Sequence, residues 1–554
     1  MDIQRNILLA GMFALAFLLL IRWNAFQPEA IQNATLQTVE TQTVLPVETN
    51  GGENSDIPVV IQSGVQSKPE NIEVFENKLI TVSTDTLNIT IDTLGGDIVN
   101  ASLPKFPTTQ EENSPPFQIM ERTSNILYIA QSGLIGANGL DNQKTRPLFQ
   151  SKQTAYVMKE GEPLSVDLDI TTSDGVAITK RFIFSPESYL IEIQYIINNK
   201  MDKAWSGNLF AQIKRDDHQP EVSSGFGIKP FHGAAITTEE QNYKKLSLDD
   251  ISEQEFKQSI NGGWVAFIQH YFLSAWVPDK NSTNNYSIRK MKNSNIYIFG
   301  FIGNEKVIPP GSKDIISTKL YVGPKDVKKL EEISDYLDLT VDYGWLWWIA
   351  KPLHTILSSA HAILGNWGWS IICLTLIIKM IFFPLSNKAY LSMAAMRKVT
   401  PKMMEIREKY GDNRQKLQEE MMKLYRSEKI NPLGGCLPML IQMPVFISLY
   451  WTLLESVEIR QAPFMGWITD LSVMDPYFCL PLLMGVSMFL QQKMNPTPPD
   501  PTQAKVMQLL PVMFTFMFLW FPAGLVLYWL VNNIISMIHQ AYINHKVEGS
   551  IVRK

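Results

Sequence analysis

The sequence predicts a multi-pass α-helical membrane protein of six spans that carries a large all-β domain. Three observations predict it. Apolar runs near membrane-spanning length cluster at the N-terminus and after residue 342, while the chain between reads as soluble protein. Within that soluble stretch, short segments alternate apolar and polar residues with a period of two. Charge divides the same way: residues 23–344 hold 28 Lys/Arg against 41 Asp/Glu, and the remainder holds 21 against 13. An acidic soluble part argues against nucleic acid as a direct partner.

Residues 1–25 begin with a short charged head (Asp2, Arg5) and an apolar core, Ile7 to Ile21. Fifteen helical residues reach about 23 Å, the length of a signal-peptide core. Arg22, Trp23 and Asn24 follow without a small-x-small cleavage site, so an uncleaved signal-anchor is expected. Residues 26–70 are rich in Gln, Thr, Glu, Asn and Gly and read as a disordered tether.

Residues 71–342 follow as the β domain. "LNITI" (Leu87–Ile91), "SVDLDI" (Ser165–Ile170), "AITKRFIF" (Ala177–Phe184) and "YLIEIQYII" (Tyr189–Ile197) read as strands, with "TSDG" (Thr172–Gly175) as a hairpin turn. Many such strands imply a sandwich or barrel larger than an immunoglobulin domain. "PKDVKKLEEISDYL" (Pro324–Leu337) has the pattern of an amphipathic helix. Residues 343–366 open with Trp345, Trp347 and Trp348, and Leu353, Ile356, Leu357, Ala360, Ile363 and Leu364 share one helical face. This segment is expected to lie in the membrane interface.

Residues 367–546 form the helical core. Its spans are expected near Trp367–Leu385, Leu437–Leu454, Tyr477–Gln491, Val506–Trp520 and Leu525–His539, the last two joined by "FPAG" (Phe521–Gly524). The loop 385–432 carries 11 basic and 6 acidic residues; 455–475 carries one basic and four acidic. The positive-inside rule then places both termini, including the short tail 547–554, in the cytoplasm and the β domain outside. The β domain has no cysteine, and a bacterial inner membrane with a periplasmic domain fits best. Cys373, Cys436 and Cys479 lie in apolar runs without metal-ligand spacing and read as buried inert thiols.

The residues 385–431 form a helical hairpin, Tyr390–Tyr410 and Gln415–Lys429 around "GDN". Met393, Met396, Met403, Met404, Met421 and Met422 either pack its two helices together or offer an adaptable binding surface. Three prolines, Pro432, Pro438 and Pro444, recur every six residues around the following span, which is either simply bent or able to flex.

Lys379 stands well inside the run "SIICLTLIIKMIFFPLS". It either snorkels to the headgroups or faces a wet cavity within the bundle. Thr375 lies one turn back on its face, Gln442 sits at comparable depth in the next apolar run, and Tyr528, Trp529, Asn532 and Asn533 follow one another in the last. The cores of the later spans hold no carboxylate, so a solvated groove attracting negatively charged polypeptide is favoured over a salt bridge. Walker, GxGxxG, HExxH and nucleophile-elbow motifs are absent, and no catalytic residue, cofactor or metal is expected. "RDDHQPE" (Arg215–Glu221) reads as a charged loop of the β domain.

"NPLGGCLPMLIQMPVFISLYW" (Asn431–Trp451), "EIRQAPFMGWITDLS" (Glu458–Ser472), "DPYFCLPLLMGVSMFLQQKM" (Asp475–Met494) and "FLWFPAGLVLYWLVNN" (Phe518–Asn533) resemble the YidC/Oxa/Alb family of membrane insertases, in its Gram-negative type. The resemblance covers roughly residues 345–545 in order. It implies a periplasmic β-supersandwich and a five-helix core with a hydrophilic groove, open to cytoplasm and lipid, that receives nascent membrane proteins. Lys379 occupies the position of the family's groove cation, where arginine is usual; lysine keeps the charge without the planar fork. Thr375, Gln442, Tyr528 and Trp529 match groove or substrate-contact positions, and Asn532 lies one turn beyond. The hairpin matches the region implicated in substrate reception, and the cytoplasmic loops imply the Sec translocon, the ribosome and signal-recognition components as partners. The tail lacks the length and charge of relatives that bind ribosomes through it. Other classes predict other features: a secondary transporter using Lys379 as its solute or ion site predicts internal half-repeats, which the sequence lacks, and a carbohydrate-modifying β domain predicts clustered carboxylates with histidine.

Overall fold

Alternation is what builds the β unit. Along Val176–Phe184 every second residue is buried, and Leu190–Asn199 repeats the pattern out of phase by one. The two strands pair antiparallel, with Gln194 opposite Arg181. Thr172–Gly175 turns the chain into Val176–Phe184 from the preceding antiparallel strand, Leu164–Thr171, Gly175 taking φ +92°, which glycine adopts without steric cost. The computed structural model describes residues 56–58, 78–142, 145–218, 230–411, 413–428, 437–495 and 501–552. The expected signal-anchor, most of the tether, Gln219–Glu221, Pro432 and Cys436 lie outside the described residues.

The described residues divide into two compact units. The β unit takes in Val47–Trp347 and Trp451–Gln461. Its described strands make one ten-stranded and one nine-stranded sheet, a sandwich well beyond immunoglobulin size. The four expected strands are present as Asn88–Asp92, Leu164–Thr171, Val176–Phe184 and Leu190–Asn199. Trp205, Trp264, Trp276, Tyr195 and Phe182 are among the largest side chains fully buried between the sheets.

One inward position of the Val176–Phe184 strand holds a lysine. Lys180 is fully buried, and its ammonium donates to the carbonyls of Gly95 and Ser132, each at 3.0 Å. Arg146 lies nearby, 2.5 Å from Asp97 and 3.0 Å from Asp141. The Asp141 contact is an ion pair off hydrogen-bond alignment, and Asp141 accepts instead from the Leu134 N–H at 2.8 Å. Removing one partner from such a knot strands a buried charge, at a cost of about 3–5 kcal/mol.

Several expected boundaries move. The short helix α1 (Leu248–Glu253) is closed by a Ser247–Asp250 capping box. The helix expected over Pro324–Leu337 is only α2 (Val327–Ile333). Pro324 still belongs to the preceding strand, Asp326 caps the helix by accepting from Lys328 and Lys329, and Tyr336 turns left-handed at φ +66°. The tether also departs from expectation: Asp56–Pro58 are ordered against the ten-stranded sheet, Lys214 pairing with Asp56 at 2.7 Å. In the charged loop, Arg215 is buried, donates to the Asp216 and His218 carbonyls and stacks over Phe267, so its role is structural. Trp451–Gln461 is fixed in the β unit by a buried Lys325–Glu455 ion pair and by Arg460, which donates to the Pro107 carbonyl at 2.8 Å.

Among the described residues the helical unit takes in Trp348–Tyr450 and the chain from Ala462 onward. Helix α3 (Trp347–Leu364) buries Leu353, Leu357 and Ala360 of its expected face but leaves Ile363 exposed, while Trp345, Trp347 and Trp348 are each about 60% exposed. Helices α4 (Trp367–Ile381) and α5 (Phe383–Tyr410) meet at a 69° bend. Sequence reading carried the span on to Leu385 and began the hairpin at Tyr390. Pro384, in the first turn of α5, lacks the N–H a continuous helix needs, so the break falls at Phe382.

Helix α6 (Arg414–Ser427) completes the hairpin. Val399 and Met403 are buried there, with Met396, Met421 and Leu424 packed against them, whereas Met404 and Met422 are exposed. The remaining helices are α7 (Leu437–Glu455), α8 (Cys479–Met494), α9 (Pro501–Phe518) and α10 (Ala523–Val552). Helix α10 runs past the expected His539 through most of the tail. Cys373 and Cys479 are half-buried rather than fully buried. Gly485 permits tight α8–α9 packing, because a Cβ there would stand 2.1 Å from Thr515 Oγ1.

Among the described residues no single helix is long and apolar enough to cross a membrane; α4 and α5 reach that length and hydropathy only as a bent pair. Helix α8, with 16 residues, is about 24 Å long against a hydrocarbon core of about 30 Å. The outer faces are nonetheless lipid-like: Leu482, Val486, Leu509, Val512, Phe516 and Ile538 are all more than half exposed.

Two histidines contribute an acid-sensitive share of the β unit's stability, opposed by Asp141, which burial raises to about 6. Burial, with Arg215 and His218 adding to it, lowers His232 to about 4; burial, with Lys325 and Arg460, lowers His270 to about 3, although its Nε2 lies 2.8 Å from the Leu454 carbonyl. The unfolded chain takes up these protons below pH about 6.5 while the folded unit does not, so the share of stability these two histidines contribute is full above 6.5 and is lost as pH drops towards 4. Thermal unfolding of the intact protein in detergent should show this acid slope, and His232→Gln with His270→Gln should flatten it. An unchanged slope in the double variant would contradict the assignment.

Candidate substrate groove

Three helices of the helical unit gather the polar residues of the apolar runs. Lys379 sits in the last turn of α4, two residues before its end, closer to the helix terminus than the sequence implied. The C-terminal end of a helix carries partial negative charge and favours a cation there. The Lys379 ammonium points at α10 and donates to Ser536 Oγ at 2.7 Å; Ser536 in turn donates to the Asn532 carbonyl at 2.6 Å. No carboxylate among the described residues pairs with Lys379. His539, one turn below, stacks on Phe383 and meets Tyr390 edge-on.

Thr375 faces the same way but is fully buried, its hydroxyl donating to the Ile371 carbonyl at 2.7 Å. The Gln442 amide, on α7, donates to the Tyr528 hydroxyl on α10. Pro444 is inside α7 and leaves its carbonyl to Ser448, which donates to it at 2.8 Å. Pro438 lies in the first turn of the same helix. Trp529 packs against Phe446 at 4.6 Å and Phe518 at 5.4 Å between ring centroids, forming an aromatic wall across α7, α9 and α10. Its indole N–H and the Asn532 side-chain oxygen are buried without a hydrogen-bond partner among the described residues. Asn533 turns the other way, donating to Ser487 on α8 at 3.0 Å.

The structure thus brings Lys379 and Asn532 together through Ser536, and Gln442 and Tyr528 directly. It places Trp529 in the aromatic wall and Thr375 in the α4 packing surface. Ser536 escaped the sequence reading, though its i, i+4 spacing from Asn532 on an otherwise apolar helix was the available signal.

Comparison with known proteins decides the family. Residues 79–356 match the YidC periplasmic domain family, and residues 359–550 match the 60Kd inner membrane protein family. Membrane protein insertase YidC of Cellvibrio japonicus is 50% identical over 549 residues, covering 99% of both chains. The Azotobacter vinelandii protein of that name is 50% identical over 554 residues, again at 99% of each. This chain belongs to the YidC family of membrane protein insertases. A crystal structure of an active YidC insertase with the first transmembrane domain resolved aligns at 18% identity and a TM-score of 0.37, over 85% of this chain and 93% of that one.

As a YidC-family protein the chain is an inner-membrane insertase, not an enzyme, with an all-β periplasmic domain and a helical C-terminal insertase region. Its substrates are membrane proteins and its medium is the lipid bilayer.

The Gln442–Tyr528 bond offers a local test. Tyr528→Phe should cost about 1 kcal/mol, because it also leaves the Gln442 amide without its acceptor. Gln442→Leu in the Tyr528→Phe background should then cost less than Gln442→Leu alone. Thermal unfolding of the four proteins in detergent measures the difference, and strictly additive losses would contradict the contact.

Proposed function

We propose that Lys379 is the working cation of a hydrophilic groove through which this insertase receives its substrates from the cytoplasm. The observation that carries the reading is the direction of the Lys379 side chain. It turns to Ser536 on α10, which in turn donates to the Asn532 carbonyl, and has no carboxylate partner among the described residues. An unneutralised cation at that depth is tolerable only where water or a polar substrate reaches it. The orphaned Asn532 oxygen and Trp529 N–H agree, because dry buried groups without partners cost about 1–3 kcal/mol each.

In this reading the acidic or short polar flank of a nascent segment is drawn to Lys379. Gln442, Tyr528 and Asn532 offer hydrogen bonds to its polar backbone. The apolar segment slides along the Phe446–Trp529–Phe518 wall into lipid, driven by burial of roughly 20 apolar residues in hydrocarbon. Thr375 sets the helix surface beside Lys379, and the Pro432, Pro438 and Pro444 region gives α7 room to flex. The short α8 and α9 thin the hydrophobic path. The same proposal keeps six spans with both termini cytoplasmic, the expected domain limits from the signal-anchor 1–25 to the tail 547–554, and the hairpin 385–431 as the receiving element for ribosome, signal-recognition and Sec partners.

Purified protein in liposomes tests it. Protease-protected insertion of a small single-span protein should survive Lys379→Arg and fall about tenfold or more with Lys379→Ala and Lys379→Glu. Equal insertion by all four forms would reduce Lys379 to a bystander. Failure of every form, in liposomes where a known insertase works, would favour the transporter reading instead.

A further inference from the structure

The β unit carries a second constellation that insertion through the helices does not use. It lies on the face of the ten-stranded sheet where Phe210, Gln212 and Lys214 project from the strand Trp205–Asp216. Three residues of the tether cover it. Lys214 Nζ is 2.7 Å from the Asp56 carboxylate, and the Gln212 amide donates to the Asp56 carbonyl at 2.8 Å. Ile57 is only 2% exposed and fills a pocket formed by Ile135, Phe210 and Ile302. Pro58 follows, and a residue ahead of proline is held extended.

This seat is built, not incidental. The Gln212 amide also donates to Gln131 at 2.9 Å, and Gln131 donates to Asp97 at 2.9 Å, which is gripped by Arg146. The group that reads the Asp56 backbone is therefore fixed from behind by the buried ionic knot. Beyond Pro58 the seat opens into a cleft of about 340 Å³ over Gly300 and Ser287. Lys257, which pairs with Glu255 at 3.1 Å, and Arg289, Lys290 and Lys292 line that cleft.

We propose that this face is a peptide-binding site for extended acidic–aliphatic–proline segments, held in the resting protein by the chain's own Asp56–Ile57–Pro58. Each element of the site has a separate task. Lys214 selects a carboxylate, the Ile135–Phe210–Ile302 pocket takes one aliphatic side chain, and Gln212 reads the intervening carbonyl as a strand would. The basic cleft accommodates further acidic residues. The partner that fits is an acidic, extended stretch of another exported polypeptide, which has to displace the tether. Because the tether is part of the same chain, it competes at an effective concentration on the order of mM, so a free segment gains access only when the tether is drawn away. The site is independent of the groove around Lys379 and stands or falls without it.

The probe is a fluorescein-labelled peptide with the sequence of Glu53–Val60, added to full-length protein in nanodiscs and followed by anisotropy. Wild type should bind it weakly. The triple variant Asp56→Gly, Ile57→Ser, Pro58→Gly should bind at least tenfold more tightly, and adding Lys214→Glu should reverse that gain. A peptide with lysine in place of Asp56 should recover binding to the Lys214→Glu form, an outcome that misfolding cannot produce. Thermal unfolding of each variant checks that the β unit is intact. The proposal is overturned if the triple variant, folded, binds no better than wild type, or if Lys214→Glu leaves binding unchanged. It is overturned equally if an acidic oligosaccharide competes as well as the peptide does.

Discussion

The helical unit is organised around one unneutralised charge. Lys379 sits at the end of α4, with Ser536 as its hydrogen-bond partner and the partial charge of its own helix terminus in its favour. Bringing a lone ammonium out of water is expensive, and nothing in the α4, α7 and α10 cores supplies a carboxylate. The surrounding features answer that cost in a consistent way. The α4–α5 break places the lysine near a helix end, the Asn532–Ser536 turn offers it oxygen, and amide and phenol groups on α7 and α10 extend the polar seam. In the proposed groove, the same need for polar company is what draws a passing polypeptide.

The β unit solves the opposite problem. Its charges are numerous, and the most deeply buried of them are paired or hydrogen-bonded and join the two sheets. Lys180 spans the sandwich to carbonyls at Gly95 and Ser132, and Arg146 bridges Asp97 and Asp141. That knot continues through Gln131 and Gln212 to the sheet face where Asp56 is held. Rigid support of this kind keeps the seat of Asp56 in place.

Much of this was legible in the sequence, for identifiable reasons. The strands Leu164–Thr171 and Leu190–Asn199 declare themselves because a half-buried sheet forces a period of two. Lys379 declares itself because an ionisable residue in an apolar run has few innocent explanations. Other features were hidden. Pro384 marks the end of α4, but it stands in an apolar run whose composition continues past it. Lys180 was visible as a lysine at an inward position of an alternating strand, and its meaning depends on two carbonyls far away in sequence. Ser536 is a weak signal because serine in an apolar helix usually satisfies its own backbone. Asp56–Pro58 could not be read at all: they lie in a polar tether without periodicity, and only their neighbours on the sheet give them a conformation.

The central claim is that the α10 face around Asn532 and Ser536 meets substrate, and site-specific photo-crosslinking tests it most directly. A photoreactive residue would be placed at Asn532 or at Ile538, which is on the exposed outer face of the same helix. Each form would then be presented with a ribosome-stalled single-span nascent chain. The account predicts crosslinks from position 532 to the polar flank of the nascent chain at short chain lengths, with position 538 reacting mainly with lipid. Crosslinks from 538 and none from 532 would place the substrate path on the outer surface and contradict the groove.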